Sequence, residues 1–297
     1  MSGPGRPARR SFGGDDHIFV EFDEEMNLPA NFRVMAVTAT LAERRIDGVI
    51  DICPANVSYQ VRFDPDRVAP RDLVAELEAT EATVGDGTDF DLRTTILELP
   101  ILYGDPWTRE TGERFRSHRQ DPDATDLEYA ARVNGFDSVA GFVAAHSNSP
   151  WFASMVGFVA GLPFLFQMVP RERQLEVPKY LSPRTDTPKL TIGHGGCFGS
   201  IYSVRGAGGY QMLGITPAPI YDPTQTHPDF ADSLVFFEPG FIVKYEPIDR
   251  ETYDELTAQV EARRYRIRQA PVEFSLGRFL ADPDGYNRGL TEVLRGS

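Results

Sequence analysis

Three observations predict an α+β fold in two parts. The first hundred residues of the 297-residue chain read in the order β-α-β-β-α-β, that of a ferredoxin-like split unit whose two helices cover one sheet face. After residue 150, glycine and proline become frequent and apolar runs shorten, the pattern of a closed or partly closed antiparallel β-structure. Between these parts, residues 103–126 are polar, charged and interrupted by two prolines, and read as a loop or insertion.

Residues 1–16, rich in Gly, Pro and Arg, read as a flexible leader without the apolar core of a signal peptide. HIFVEF (17–22) is a strand and NFRVMAVTATLAERR (31–45) a helix, with Asn31 available as its cap. GVIDIC (48–53) and VSYQVRFD (57–64) flank a short PAN connection and form a hairpin. PRDLVAELEAT (70–80) places Leu73, Val74 and Leu77 on one helical face. LRTTILELPIL (92–102) is the strand that would complete the layer. Two short helices follow at 126–135 and 137–147, with Asp126 and Asp137 where N-caps belong. Short β-runs then continue to about residue 247, and DRETYDELTAQVEARRYRI (249–267) is helical. The expected organisation is a leader (1–16), a ferredoxin-like domain (17–103), an insertion and helical connection (104–148), and a β-barrel domain (149–297).

Composition excludes several classes of function. The chain is 41% hydrophobic and 25% charged, with a formal charge of −14. That charge opposes association with a phosphate backbone, so no nucleic-acid partner is expected. No apolar run reaches bilayer length, so no membrane association is expected and the cytoplasm is the expected compartment. The two cysteines, Cys53 and Cys197, read as free thiols. The five histidines are scattered, with no HExxH or close pair, so no metal is expected.

IGHGGCFGSIYSVRGAGGYQMLGITP (192–217) holds eight glycines. It lacks the lysine of a Walker loop, and β-like residues follow it where a dinucleotide loop needs a helix. Glycine here serves tight β-turns and close backbone approach. Cys197 follows His194 by three residues, yet no carboxylate or amide nearby in sequence orients the imidazole. Cys197 reads as a small buried filler; His194, between glycines, has a ring that is expected to be accessible.

GFVAGLPFL (157–165), VPKYLSPRTDTPKLTIGHGG (177–196) and SIYSVRGAGGYQMLGITPAPIYDP (200–223), together with LPILYGD, DLEYAARVNGFD and AAHS upstream, resemble the family known as allophanate hydrolase subunit 1, Kip-inhibitor or 5-oxoprolinase B-subunit. The resemblance covers roughly residues 17–270. It implies a ferredoxin-like layer joined to a cyclophilin-like β-barrel. It also implies a homologous barrel-type partner subunit, similar to allophanate hydrolase subunit 2, and a small amide, urea or lactam substrate. The implied chemistry is that of a carboxyltransferase in a biotin-dependent carboxylase, or of an ATP-dependent 5-oxoprolinase. The chain carries no MKM-like biotinylation site, so no cofactor is expected on it alone; ATP or biotin would enter through the assembled complex. Some relatives instead inhibit a histidine kinase, and a non-catalytic scaffold is a further alternative.

The sequence departs from the family pattern at several motif positions. Ala160 replaces a proline, Leu162 an aromatic, and Phe198-Gly199-Ser200 a Q-T-G. Lys179 stands for the first motif arginine and Tyr210 for a tryptophan. Ile215 replaces an arginine and Phe241 a carboxylate. The candidate catalytic residues are His194, Arg184, Gln211 and His146, supplying a base and oxyanion donors. Gly157, Gly161, Tyr202, Gly208 and Gly209 are the candidate substrate-binding residues. Arg184 could clamp an anion or pair with Asp186 at the surface. Gln211 could face a pocket or lie on an edge strand, His146 could simply cap its helix, and Tyr202 could belong to the core.

Overall fold

The computed structural model describes residues 8–87 and 90–296. It divides into two compact units: the described residues up to Leu92 with Phe274–Ala281, and Arg93–Glu273 with the residues from Asp282 onward. The division falls at residue 92, not at the expected 103, because the strand that starts there joins the second unit.

The first unit begins with β1 (Arg9–Phe12), β2 (His17–Glu21), α1 (Leu28–Arg44), β3 (Val49–Pro54), β4 (Ser58–Phe63) and α2 (Pro70–Val84). The sheet order is β1-β2-β4-β3, and the expected hairpin is β3–β4, paired antiparallel. Ile18, Val20, Tyr59, Val61 and Phe63 on the sheet pack against Val34, Val37, Leu41, Leu73 and Leu77 of the helices. Part of the expected leader is therefore a strand; its residues 1–7 lie outside the described residues. β1 is held at its edge by Arg10, which pairs with Glu81, a buried carboxylate that also accepts from the Tyr59 hydroxyl at 2.6 Å. The cap of α1 is Asn27, which accepts from the Ala30 amide; Asn31 lies inside the helix.

The strand expected to complete this layer is instead β5 (Asp91–Tyr103), in the sheet of the second unit. Its Ile96, Leu97, Leu99 and Ile101 are all fully buried. A strand apolar on both faces fits a position covered on both sides, not a layer open to water on one. After β5 come α3 (Pro106–Arg114), α4 (Asp126–Val133), α5 (Val139–Asn148), β6 (Trp151–Val156) and β7 (Pro163–Gln167). Next are β8 (Arg184–Thr187), β9 (Thr191–Gly195), β10 (Phe198–Ile201), β11 (Gly206–Gly208), β12 (Gln211–Ile215) and β13 (Ile242–Pro247). The chain closes with α6 (Arg250–Glu261), β14 (Gln269–Ser275), α7 (Leu276–Ala281) and α8 (Pro283–Gly296).

The large sheet runs β12-β9-β10-β7-β6-β13-β5-β14, and β12 also pairs with β5, closing a ring. The ring is not wholly antiparallel, since β13 runs parallel to β5 from Ile242–Ile96 to Pro247–Ile101. The chain between these two strands, residues 104–241, supplies the long connection that a parallel pair requires. Trp151, Leu165, Ile192, Ile201, Leu213, Val243 and Tyr245 fill the interior. Residues 106–114, expected as loop, form α3, capped by Asp105, which accepts from the Trp107 and Thr108 amides. Asp126 and Asp137 are not the caps of α4 and α5. Thr125 caps α4 in a capping box with Glu128, and Ser138 caps α5 through the Gly141 amide.

The closing seam depends on Gly214, where a Cβ would lie 2.5 Å from the Leu102 carbonyl oxygen and 2.9 Å from the Tyr103 Cα. Gly214→Ala should lose about 1–3 kcal/mol in chemical denaturation, because backbone must shift to admit it. Gly277→Ala in α7, where a Cβ meets nothing within 4 Å, should hold or gain stability by up to about 1 kcal/mol. Equal effects of the two substitutions would refute this account of the seam.

Candidate functional site

The glycine-rich stretch forms β9, β10, β11 and β12. In β9 side chains alternate: Ile192 and His194 face the filled interior, while Gly193 and Gly195 face outward. A Cβ on Gly193 would meet the Tyr202 ring at 2.9 Å and the Tyr210 Cβ at 3.1 Å, and one on Gly195 would enter the Tyr210 ring. A Cβ on Gly208 would enter the Tyr202 phenol. These glycines exist to let two tyrosines lie flat on the strands.

Over that platform lies a pocket of about 230 Å³ lined by Phe158, Leu162, Phe164, Lys179, Ser200, Tyr202, Gly208, Gly209 and Tyr210. Three of the five expected substrate-binding residues (Tyr202, Gly208 and Gly209) thus meet in one place. Gly157 and Gly161 do not line it. They bracket the β6–β7 turn that brings Phe158 and Leu162 to its rim, closed by the Gly157 amide donating to the Leu162 carbonyl at 3.0 Å. Gly161 has φ +74°, a conformation glycine adopts without steric cost. Phe158 also sits in the left-handed region, at φ 70°, and is 78% exposed. Among the described lining residues Lys179 alone carries charge, its Nζ 5.3 Å from the Tyr210 ring centroid. Burial pushes the phenols of Tyr202 and Tyr210 above their ordinary range, so both stay protonated donors.

The expected catalytic residues are not in this pocket. His146 and His194 are wholly buried inside the ring, their imidazole centroids 5.8 Å apart. His146 stacks on Tyr245 and shares a 2.8 Å hydrogen bond between its Nδ1 and the Tyr103 hydroxyl. His194 Nε2 lies 3.2 Å from the Leu175 carbonyl oxygen, to which it donates. The expectation of an accessible His194 ring fails because β9 alternation turns residue 194 inward. His146 caps nothing: it is held in the core by Tyr103 and Tyr245. Burial holds His194 down to about 4 and His146 well below the ordinary imidazole range.

Arg184 is fully buried and neither clamps an open anion site nor pairs with Asp186. Its guanidinium lies 4.3 Å over the Tyr180 ring and donates to the Tyr210 carbonyl at 2.8 Å. Asp186 instead pairs with Arg205 and Arg114, and the Arg205 hydrogen bond leads in holding its carboxyl at about 2. Gln211 is buried on β12, between β9 and β5 rather than at an edge, and donates to the Pro178 carbonyl at 2.9 Å. Cys197 is only partly buried, and burial pushes its thiol up. Among the described residues, no three His, Cys, Asp or Glu side chains come together as metal ligands, and no helix is long and apolar enough to cross a membrane.

Composition and spacing missed a buried polar group that reaches the pocket floor through Tyr180. Asp126, 4% exposed, meets Arg119 Nε at 2.9 Å and accepts from the Tyr180 hydroxyl at 2.8 Å and the Met212 amide at 2.6 Å. Burial raises the Asp126 carboxyl against the pull of the Met212 amide and the Arg119 guanidinium. The Tyr180 amide in turn donates to the Gly209 carbonyl at 2.8 Å, which fixes the pocket floor. Asp126 belongs to the quoted DLEYAARVNGFD motif; the signal was there but read as a helix cap.

Two measurements check this arrangement. Asp126→Ala leaves the Arg119 guanidinium without its buried carboxylate and should cost about 3–5 kcal/mol, part of which Asp126→Ala/Arg119→Met should recover. For His194, folding lowers the pKa from 6.5 to about 4. The unfolded chain then binds a proton that the folded chain refuses between these values, so stability is full above pH 6.5 and lost as pH falls towards 4. The loss is about 1.4 kcal/mol per pH unit, about 3 kcal/mol in all. His194→Gln should remove that share of the slope in urea denaturation across this range, and an unchanged slope would contradict the burial assigned here.

Comparison with known proteins places this geometry. The chain is 27% identical over 248 residues to the 5-oxoprolinase B-subunit of Bacillus subtilis, covering 81% of this chain and 92% of that protein. It is 25% identical over 260 residues to urea amidolyase of Saccharomyces cerevisiae, covering 86% of this chain but only 14% of that protein. The crystal structure of the K. lactis urea amidolyase superposes with a TM-score of 0.83 at 21% identity over 97% of this chain and 18% of that one, a likeness of fold. The chain thus spans nearly all of one relative and a small part of the others. The family model for the carboxyltransferase domain, subdomains C and D, matches residues 8–231, a span holding the pocket and the Asp126 network, and the chain belongs to that family.

Proposed function

We propose that this chain is one component of a two-subunit enzyme acting on the C–N group of a small amide, urea or lactam, with a homologous barrel-type subunit completing the site. The reaction is either carboxyl transfer from carboxybiotin carried on another chain or an ATP-dependent opening of the 5-oxoprolinase type. The observation that carries this reading is what lines the pocket. Lys179, Tyr202 and Tyr210 are cation and proton donors suited to a carbonyl or developing oxyanion. The described lining residues include no carboxylate, imidazole or thiol, and in this reading the second chain supplies the base that takes the nitrogen proton.

Leu162, Lys179, Ser200 and Tyr210 are four positions where this sequence departs from its family pattern, and all four line the pocket. A substrate different from that of relatives carrying the full motif follows from such a cluster of changes. A flat, neutral ureido or lactam ring fits between aromatic walls in about 230 Å³. One lysine does not fit a triphosphate, so ATP would be held elsewhere in the complex. The burial of His146 and His194 favours a second reading, a scaffold that supports a catalytic partner.

The test is co-purification with a barrel-type partner and assay against 5-oxoproline with ATP and against urea with carboxybiotin. Lys179→Met should lower kcat/KM about 10- to 100-fold with Tm unchanged, the loss of a charged hydrogen bond in the transition state. Full activity in Lys179→Met would select the scaffold. A stable complex that turns over neither substrate would sink the enzymatic proposal and favour a regulatory binder, such as a histidine-kinase inhibitor.

A further inference from the structure

A second cavity, remote in character from the first, lies between α8 and the ring. It measures about 580 Å³, within the ordinary range for small-ligand sites. One face of α8 supplies Asp284, Asn287, Arg288, Thr291, Glu292 and Arg295 at helical spacing. The opposite wall includes Ser149 after α5, Gln167 of β7 and Lys244 of β13. The buried Asn287 pins the helix by donating to the Met168 carbonyl at 2.6 Å.

Four cations line this cavity in a chain of net charge −14. Arg173 is matched by Asp284 at 2.7 Å. Among the described residues, Lys244, Arg288 and Arg295 have no carboxylate within ion-pairing distance. Lys244 is part-buried and donates to the Tyr245 carbonyl at 2.9 Å, which leaves two of its three protons undirected. Burial, and to a smaller extent the nearby Arg295, lower its affinity for a proton against the opposing pull of Glu246 and Glu98. The Ser149 hydroxyl accepts from Gln167 Nε2 at 2.8 Å and keeps its own proton to donate. The lining also holds the carboxylates Asp284 and Glu292, so cations outnumber carboxylates four to two, and a concavity with an excess of one sign concentrates ions of the other. Lys244, Arg288 and Arg295 also lie beyond residue 231, the last that the family model matches.

We propose that this cavity binds a small oxyanion, a phosphate or carboxylate group held by Lys244, Arg288 and Arg295 with Ser149 as hydroxyl donor. The binding is independent of the pocket on the glycine-rich strands. The test is isothermal titration calorimetry of the full chain with inorganic phosphate, pyrophosphate and succinate as probes. Saturable binding of at least one is expected, weakening at higher ionic strength. Arg288→Gln and Arg295→Gln should each weaken it at least tenfold; both side chains are exposed, so folding should survive. Arg250→Gln, whose side chain pairs with Asp254 on α6, should leave it unchanged. No saturable binding of any probe overturns the proposal, as does equal affinity in both arginine variants, which would put the anion elsewhere. Binding of a polyglutamate peptide without binding of the small anions would also overturn it, in favour of a protein partner. The assay needs neither partner subunit nor turnover, so its failure leaves the enzymatic reading untouched.

Discussion

The buried carboxylate of Asp126 is the contact on which the second unit depends. It joins three segments far apart in sequence: Arg119 before α4, Tyr180 before β8, and the Met212 amide in β12. A charge removed from water persists only when its lone pairs are met, and here guanidinium, phenol and amide meet them. Tyr180 carries the constraint onward, to Arg184 through its ring and to Gly209 through its amide. The pocket floor is therefore set by a polar network behind it. Its own lining is largely apolar and aromatic.

The glycines and the tyrosines are two halves of one device. A β-surface carrying side chains at residues 193, 195 and 208 would hold Tyr202 and Tyr210 away from the backbone. Without them, the rings lie against the strands and leave a concavity above. The same alternation sends His194 inward, where it meets His146 and Trp151, and His146 in turn stacks on Tyr245 in a closed core. One strand thus decides both what the pocket is made of and which titratable groups are kept out of it.

Much of the local structure was legible. The hairpin β3–β4, helices α1, α2, α4, α5 and α6, and the shift to short strands after residue 150 follow from period and turn chemistry, which act over a few residues. The caps were misplaced by one to four residues because Asn and Asp are frequent near helix starts, and local sequence does not say which side chain reaches the free amides. α3 lacks an apolar stripe, since the residues it buries are Thr108, Thr111 and Gly112, so periodicity does not reveal it, although Asp105 and Pro106 mark a helix start.

By itself the sequence determined the α+β class, the helices and strands named above, the family and the need for glycine in β9–β12, since propensity, spacing and steric freedom are properties of neighbouring residues. Only the tertiary structure decided that β5 leaves the first layer for the ring and that β1 takes the sheet edge. It alone decided that the two histidines and Arg184 are buried while Lys179 and Tyr210 face a pocket. Those outcomes depend on which distant segment covers a given face, and the pairing of Asp126 with Arg119, Tyr180 and Met212 spans up to 86 residues of chain. No local pattern encodes a contact of that range, because its free energy arises from water excluded by packing the whole unit.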